Sequence, residues 1–153
     1  MTIVNFKLQS KLAPRAVLAA LTDFGPSRAD IWPNVDSEHF KVHDQGPGWA
    51  DVTEGSSVAG GVWERERYSW DAAAGTVAIE TLDSNTWGPG SRWDYRLTPA
   101  SDGGTTIEVT VTRKGKGWKG RMIGAGLSIA GANMLRSQMK QALDRISPAS
   151  TAQ

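Results

Sequence analysis

Residues 118–146, WKGRMIGAGLSIAGANMLRSQMKQALDRI, are the only stretch whose apolar pattern keeps a helical period over several turns. Apolar and small residues recur there at steps of three and four, and these residues are Leu127, Gly131, Leu135, Met139, Ala142 and Ile146. This spacing predicts one long amphipathic helix that stops at Ser147-Pro148. We expect this helix to be the element around which the rest of the chain folds.

The first half of this helix has an unusual composition. No charged residue occurs between Met122 and Leu135, and Gly124, Gly126 and Gly131 each cost about 1 kcal/mol of helix stability relative to alanine. Either another backbone approaches closely there, or small side chains keep space open beneath the helix. Both explanations can hold together. The uncharged run is too short to cross a bilayer, which takes about 20 residues.

Composition limits the classes of protein that the chain can represent. The 153 residues contain no linker or repeat, so we predict a single domain over residues 1–153. A net charge of +1, with both signs interspersed, gives no overall electrostatic footprint for nucleic acid or an anionic membrane. We therefore expect no nucleic-acid partner and no membrane span, and either a monomer or a homodimer.

Two further features of the composition concern location and the interior. The chain has no cysteine, and its start, MTIVNFKLQS, lacks the regions of a signal peptide, so a cytoplasmic location is predicted. Seven tryptophans are many for this length. Large aromatic side chains on this scale indicate either a lined cavity or a bulky core.

The order of the elements predicts an α+β fold. Residues 2–10 alternate as a half-buried strand, and two short helices follow, the first beginning at Pro14 and the second limited by Pro33. From Ser37 the period becomes two, with about six strands, near residues 39–43, 49–54, 62–70, 76–82, 91–97 and 105–113. Each strand has one apolar face, which only the long C-terminal helix is large enough to cover.

This arrangement resembles the helix-grip fold of the START-like (SRPBCC) superfamily, in its polyketide cyclase/dehydrase-like, Bet v 1-like branch. The resemblance extends from about residue 2 to 146 and is carried by APRAVLAALTDF (13–24), the IWP corner (31–33), GGVWERERYSW (60–70) and the small-residue helix 124–146. It implies a curved antiparallel sheet of about seven strands wrapped around the long helix. It also implies a cavity for a hydrophobic ligand between them.

The sequence shows little sign of metal or covalent chemistry. His39 and His43, the only histidines, fall in a segment of period two and would lie about 13 Å apart at ~3.3 Å per residue, too far to share a metal ion. Cysteine is absent, and no serine lies in a nucleophile elbow. We predict neither a metal site nor a cofactor.

The most informative polar stretch is WERERY, residues 63–68. In a strand, Glu64 and Glu66 face one side and Arg65 and Arg67 face the other, so either orientation carries ionisable groups into the cavity. Extending the apolar alternation of the neighbouring strands backwards favours Trp63, Arg65 and Arg67 as inward. A bulge would reverse this orientation.

Two functions remain open at this stage. The first is binding of a hydrophobic, lipid-like or polyketide-like molecule in the cavity. The second is a polyketide cyclase/aromatase-like or dehydratase-like enzyme, with Arg65 or Arg67 stabilising an anion and Tyr68 or Glu66 transferring a proton. The predicted ligand-binding residues are Trp32, Trp63, Arg65, Arg67, Tyr68, Ile79, Trp93, Tyr95, Val109, Leu127, Gly131 and Leu135.

Overall fold

The computed structural model describes residues 1–57 and 60–146. The strands are β1 (Thr2–Ser10), β2 (Lys41–Gly46), β3 (Trp49–Ser56), β4 (Val62–Asp71), β5 (Thr76–Ser84), β6 (Arg92–Pro99) and β7 (Thr105–Arg113). The helices are α1 (Pro14–Leu21), α2 (Arg28–Ile31) and α3 (Gly117–Asp144), and a 3-10 turn spans Ser37–His39. The predicted helix stop at Ser147-Pro148 lies outside the described residues.

The seven strands form one curved antiparallel sheet in the order β1-β7-β6-β5-β4-β3-β2. Strands β2 to β7 form a meander, and β1 pairs with β7 to form the edge of the sheet opposite β2. The predicted α+β class, the strand number and the long helix are all confirmed.

Alternating apolar residues build the core on the concave face of the sheet. In β1 the inward side chains lie directly opposite those of β7, in the pairs Val4–Val111, Phe6–Val109 and Leu8–Ile107. All six are buried, whereas the residues between them in β1 are exposed. This is the pattern expected of a sheet with one face on the core.

Helix α3 packs along β1, and glycines make the approach close. The Thr2 hydroxyl donates to the Gly124 carbonyl at 3.2 Å. A Cβ placed on Gly131 would lie 3.4 Å from Val4 Cγ2 and 3.2 Å from Leu127 Cβ. Close packing therefore explains Gly131, whereas Gly126 is exposed with nothing within 4 Å of its Cβ position.

Strand β4 has the orientation opposite to the favoured prediction. Asp71 pairs with Thr76, so four residues separate the strands, and odd positions in β5 lie opposite even positions in β4. Ile79 accordingly faces Tyr68, which places Tyr68 and Glu66 on the concave side. The prediction assumed that odd-numbered residues face inward in both β4 and β5. It was wrong because the four-residue turn pairs odd positions of β5 with even positions of β4.

Candidate functional site

A small cavity lies between the concave face of the sheet and the helices. Its volume is about 70 Å³. The apolar and aromatic side chains that line it are Phe6, Leu21, Trp32, Val35, Tyr68, Ile79, Trp93, Tyr95, Leu135 and Met139. Exposed Asn34 and half-buried Gln138 also line it, so the cavity reaches solvent between the segment after α2 and helix α3.

The structure brings together half of the predicted ligand-binding residues. Those that line the cavity are Trp32, Tyr68, Ile79, Trp93, Tyr95 and Leu135. Those that do not line it are Trp63, Arg65, Arg67, Val109, Leu127 and Gly131. Val109 belongs to the core between sheet and helix, and Leu127 and Gly131 pack beside β1.

Arg65 and Arg67 lie on the outer face of the sheet, which corrects their predicted inward orientation. Arg65 donates to Asp51 through two bonds, Nε to Oδ1 at 3.0 Å and Nη2 to Oδ2 at 2.9 Å. Arg67 Nη2 lies 3.6 Å from the same carboxylate, and its Cζ lies 5.1 Å from the ring centre of Trp49. Half-buried Trp63 likewise does not line the cavity, because it shares the odd parity of the two arginines.

A buried network at one end of the cavity is centred on Arg28, which is 4% exposed. Arg28 donates from Nε to Glu54 Oε1 at 2.6 Å and from Nη2 to the Tyr68 hydroxyl at 2.8 Å. Its Nη1 donates to the carbonyls of Leu21 and Asp23. The Tyr68 hydroxyl lies 3.1 Å from both Glu54 oxygens. The chain itself thus holds the Arg28 guanidinium in place.

The same network shifts the ionisation of its members. Burial alone would lower the pKa of Arg28, but the phenol oxygen of Tyr68 and the carboxylate of Glu54, both in hydrogen-bond contact with the guanidinium, outweigh it and the pKa rises. Burial raises the pKa of the Tyr68 hydroxyl well above its usual range, despite the opposing effect of Arg28. Arg28 therefore stays charged, and Tyr68 stays a neutral donor.

A second buried pair joins Glu64 and Arg113. Arg113 donates to both carboxylate oxygens, Nη1 to Oε2 at 2.8 Å and Nη2 to Oε1 at 3.0 Å. Its guanidinium carbon lies 4.9 Å from the ring centre of Trp87 and 5.3 Å from that of Trp93. The Thr81 hydroxyl adds a third hydrogen bond to Glu64 at 2.9 Å. Bidentate geometry and aromatic contacts of this kind fix an arginine firmly.

Glu66 differs from the other two carboxyl groups of the cavity. Within the described part of the chain it forms no hydrogen bond and no ion pair, although it is only 6% exposed and lines the cavity. Burial raises the pKa of Glu66 well above its usual range, and the nearby carboxylates of Glu64 and Glu54 raise it further. The two arginines are paired with Glu54 and Glu64, so no cation pairs with Glu66 and its protonated form is favoured.

Tyr95 supplies a second polar group without a protein partner. Its ring stacks on Trp93, with centroids 6.1 Å apart, and its hydroxyl makes no hydrogen bond among the described residues. Burial raises the pKa of Tyr95, and the neighbouring Glu66 raises it further. The cavity thus contains two groups, the Glu66 carboxyl and the Tyr95 hydroxyl, whose protonated, hydrogen-bond-donating forms are favoured.

Sequence reasoning named Glu66 only as an alternative and missed Arg28, Glu54 and Arg113. The alternation of inward and outward residues along the strands could have predicted two of these, Glu54 and Arg113. Glu54 continues the inward series Ala50, Val52 in β3, and Arg113 ends the inward series of β7. No comparable signal marks Arg28, because a four-residue helix has no measurable period.

No group of three side chains in residues 1–57 and 60–146 is arranged to hold a metal ion. Of the two histidines, His39 lies in the 3-10 turn and His43 in β2. The sequence pattern predicted that both histidines lie in one strand, and this prediction was wrong.

Comparison with known proteins identifies the fold. No family model matches the sequence, and no curated protein does so. Among solved structures, the Zhui aromatase/cyclase from Streptomyces sp. R1128 is 18% identical, with a TM-score of 0.75 over 96% of each chain. A START superfamily protein from Mycobacterium smegmatis is 10% identical, with a TM-score of 0.76 over 96% of this chain and 100% of that chain.

A plant protein shows the same likeness. The ginseng major latex-like protein 151 from Panax ginseng is 10% identical, with a TM-score of 0.67 over 95% of this chain and 97% of that chain. The chain therefore has the START-like (SRPBCC) helix-grip fold. At these identities the likeness establishes the fold, and any function has to be argued from the site itself.

Proposed function

We propose that the cavity binds a small, ring-containing hydrophobic molecule that carries a neutral hydroxyl or carbonyl oxygen. The observation that carries this proposal is Glu66, a buried carboxyl group without a protein partner that faces an aromatic cavity. A hydrogen bond within a protein contributes about 0.5–1.5 kcal/mol. A ligand oxygen can form such a bond with Glu66, which has no protein partner, so the site favours a polar ring over a plain hydrocarbon.

The charge arrangement makes a neutral ligand a better fit than an anion. Arg28 and Arg113 are each paired with a glutamate, and their hydrogen bonds are directed at protein atoms. Each charge pair is balanced, so neither arginine presents an unpaired positive charge to a carboxylate or phosphate. An anion entering the cavity would therefore lose its hydration without gaining a counter-ion.

The size of the cavity restricts the ligand further. Pockets for drug-sized ligands measure about 300–1,000 Å³, whereas this cavity measures about 70 Å³. One or two rings match it better than a full polyketide chain. A larger ligand would require α3 or the segment after α2 to move outward.

The second candidate is an aromatase/cyclase-like enzyme acting in the same cavity. Glu66 supports this candidate as well, because a carboxyl group with a raised pKa is suited to donate a proton to a carbonyl oxygen at neutral pH. One of the solved structures with the same fold is an aromatase/cyclase. In this case Glu66 would be the catalytic acid, and Tyr95 would hold the same oxygen.

A matched pair of ligands tests the binding proposal. Binding of 2-naphthol and of naphthalene would be measured by NMR titration, together with native mass spectrometry of the freshly purified protein for a co-purified molecule. We expect 2-naphthol to bind at least about tenfold more tightly, the equivalent of one hydrogen bond, and Glu66→Leu to remove that preference. Glu80→Leu, a matched change of an exposed glutamate on β5, should leave it intact.

Two outcomes of this ligand comparison would argue against the binding proposal. Equal affinity for the two compounds, or a preference for 2-naphthol that survives Glu66→Leu, would contradict the proposal. If Glu66→Gln binds a substrate normally but loses turnover, the enzyme is the correct alternative.

A further inference from the structure

Helix α3 turns a large apolar surface to solvent in its first half. Trp118 is 75% exposed, Met122 64% and Ile129 89%. These residues are spaced by four and seven positions, so they lie on one face of the helix. Ile3 of β1, which is 53% exposed, lines a shallow groove together with Ile129 and extends this surface onto the sheet edge. Contiguous exposed apolar surface of this kind marks an interaction site.

The flanks of this surface are positively charged. Lys114, Lys116 and Arg121, which flank Trp118 in the sequence, are exposed, and Lys119 is half-buried. No aspartate or glutamate occurs in the sequence between Glu108 and Asp144. The net charge of +1 therefore conceals one strongly cationic region beside the apolar face.

The same face on a second copy of the chain complements this face poorly. Whichever way two α3 helices are laid together, they bring only cations to each other over residues 109–143, because that segment contains no acid. An anionic lipid surface provides what is missing, namely negative headgroups for the cations and an apolar layer beneath them for the side chains.

We propose that the outer face of α3, formed by Trp118, Met122 and Ile129 with Lys114 and Arg121, docks on an anionic lipid bilayer. The helix lies in the interface and does not cross the membrane. In the described part of the chain, no helix has the length and apolarity needed to span a bilayer. Tryptophan is favoured at the headgroup level, and amphipathic helices with basic flanks bury their apolar face there.

Flotation with phospholipid vesicles tests this docking. At low salt, the full chain should bind vesicles of phosphatidylcholine containing about one quarter phosphatidylglycerol and should bind pure phosphatidylcholine far less. Lys114→Gln with Arg121→Gln should weaken binding about 30-fold, since each cation near an anionic surface contributes a factor of about five. Adding salt to about 0.5 M should release the protein in the same way.

The apolar part of the face needs its own variants. Trp118→Ser with Ile129→Ser should abolish vesicle binding, and because both side chains are exposed, the thermal melting temperature should stay within about 2 °C. The matched controls are Leu82→Ser, an exposed leucine on β5 that is 47% exposed, and Arg15→Gln, an exposed cation in α1. Both controls should bind vesicles as the unmodified chain does.

Two results would overturn the proposal. One is failure to bind the anionic vesicles, or binding that Trp118→Ser with Ile129→Ser leaves unchanged. The other is a dimer in sedimentation equilibrium that the same variant dissociates, which would assign the face to a second copy of the chain. Neither result bears on the cavity, so the proposed ligand site is tested separately.

Discussion

Arg28 Nε lies 2.6 Å from Glu54 Oε1, and each side chain is more than nine-tenths buried. The pair joins α2 to β3 at the cavity wall. Removing one partner of a buried ion pair leaves the other charge without compensation, which costs about 3–5 kcal/mol. We therefore expect Arg28→Met and Glu54→Leu each to lower the free energy of unfolding by about that amount in urea titrations.

The double variant provides the control for this pair. Because neither charge then remains, Arg28→Met with Glu54→Leu should be destabilised by clearly less than the sum of the single changes. Strict additivity of the three measurements would show that the two side chains do not interact in solution.

Glu66 should make stability depend on pH. Its folded-state pKa is raised above the unfolded value of about 4.3, so the unfolded chain releases this proton first as pH rises. The contribution of Glu66 to stability is therefore present at low pH, falls above about pH 4.3 and levels off above the folded-state pKa.

The Glu66→Gln variant isolates this effect. Glutamine does not ionise, so Glu66→Gln should be more stable than the unmodified chain at pH 8 and should gain less, or nothing, at pH 4. Urea titrations at the two pH values measure the difference. A gain of equal size at both values would show that ionisation of Glu66 is not its cause.

Two glycines of α3 form a matched pair for packing. Gly131 lies against Val4 and Leu127, so Gly131→Leu should overpack the contact with β1 and lower stability by about 1–3 kcal/mol. Gly126 faces open space, so Gly126→Leu should raise stability by up to about 1 kcal/mol through helix propensity. Thermal melts of both variants measure this contrast. A Gly131→Leu protein that keeps its stability while losing ligand binding would instead favour a cavity beneath this part of the helix.

The outer arginines should be irrelevant to the cavity. Arg65 and Arg67 both lie near Asp51 on the far side of the sheet. Replacing both with methionine should leave the affinity for 2-naphthol within about twofold, since no cavity contact changes. A loss of tenfold or more in an NMR titration would mean that β4 has the opposite orientation in solution.

The fold was predictable because most strands alternate cleanly, as β1 and β7 do, and α3 alone has a long helical period. Period two fixed which residues share a face, as Phe6 and Val109 show. It did not fix the face of β4, because the four-residue turn before Thr76 reverses parity and the strand is ionisable on both sides. Because of this ambiguity, the sequence favoured Arg65 and Arg67 as cavity residues, whereas Glu64 and Glu66 line the cavity in the structure.

Part of the site depended on long-range pairing that no local pattern reveals. Arg28 meets Glu54 and Tyr68 across 26 and 40 residues of sequence. Arg113 meets Glu64 across 49 residues. Continuing the alternation would have placed Glu54 and Arg113 inward, whereas their partners follow only from the strand order.

The most direct test of the central claim is the ionisation of Glu66 itself. In a ¹³C NMR titration of the side-chain carboxyl carbons, the resonance that disappears in Glu66→Gln is the one to follow. We predict that this carboxyl group ionises at a clearly higher pH than the exposed glutamates, which ionise near pH ~4.3. A Glu66 resonance that titrates with the exposed glutamates would contradict a buried neutral acid in the cavity, and with it the proposed site.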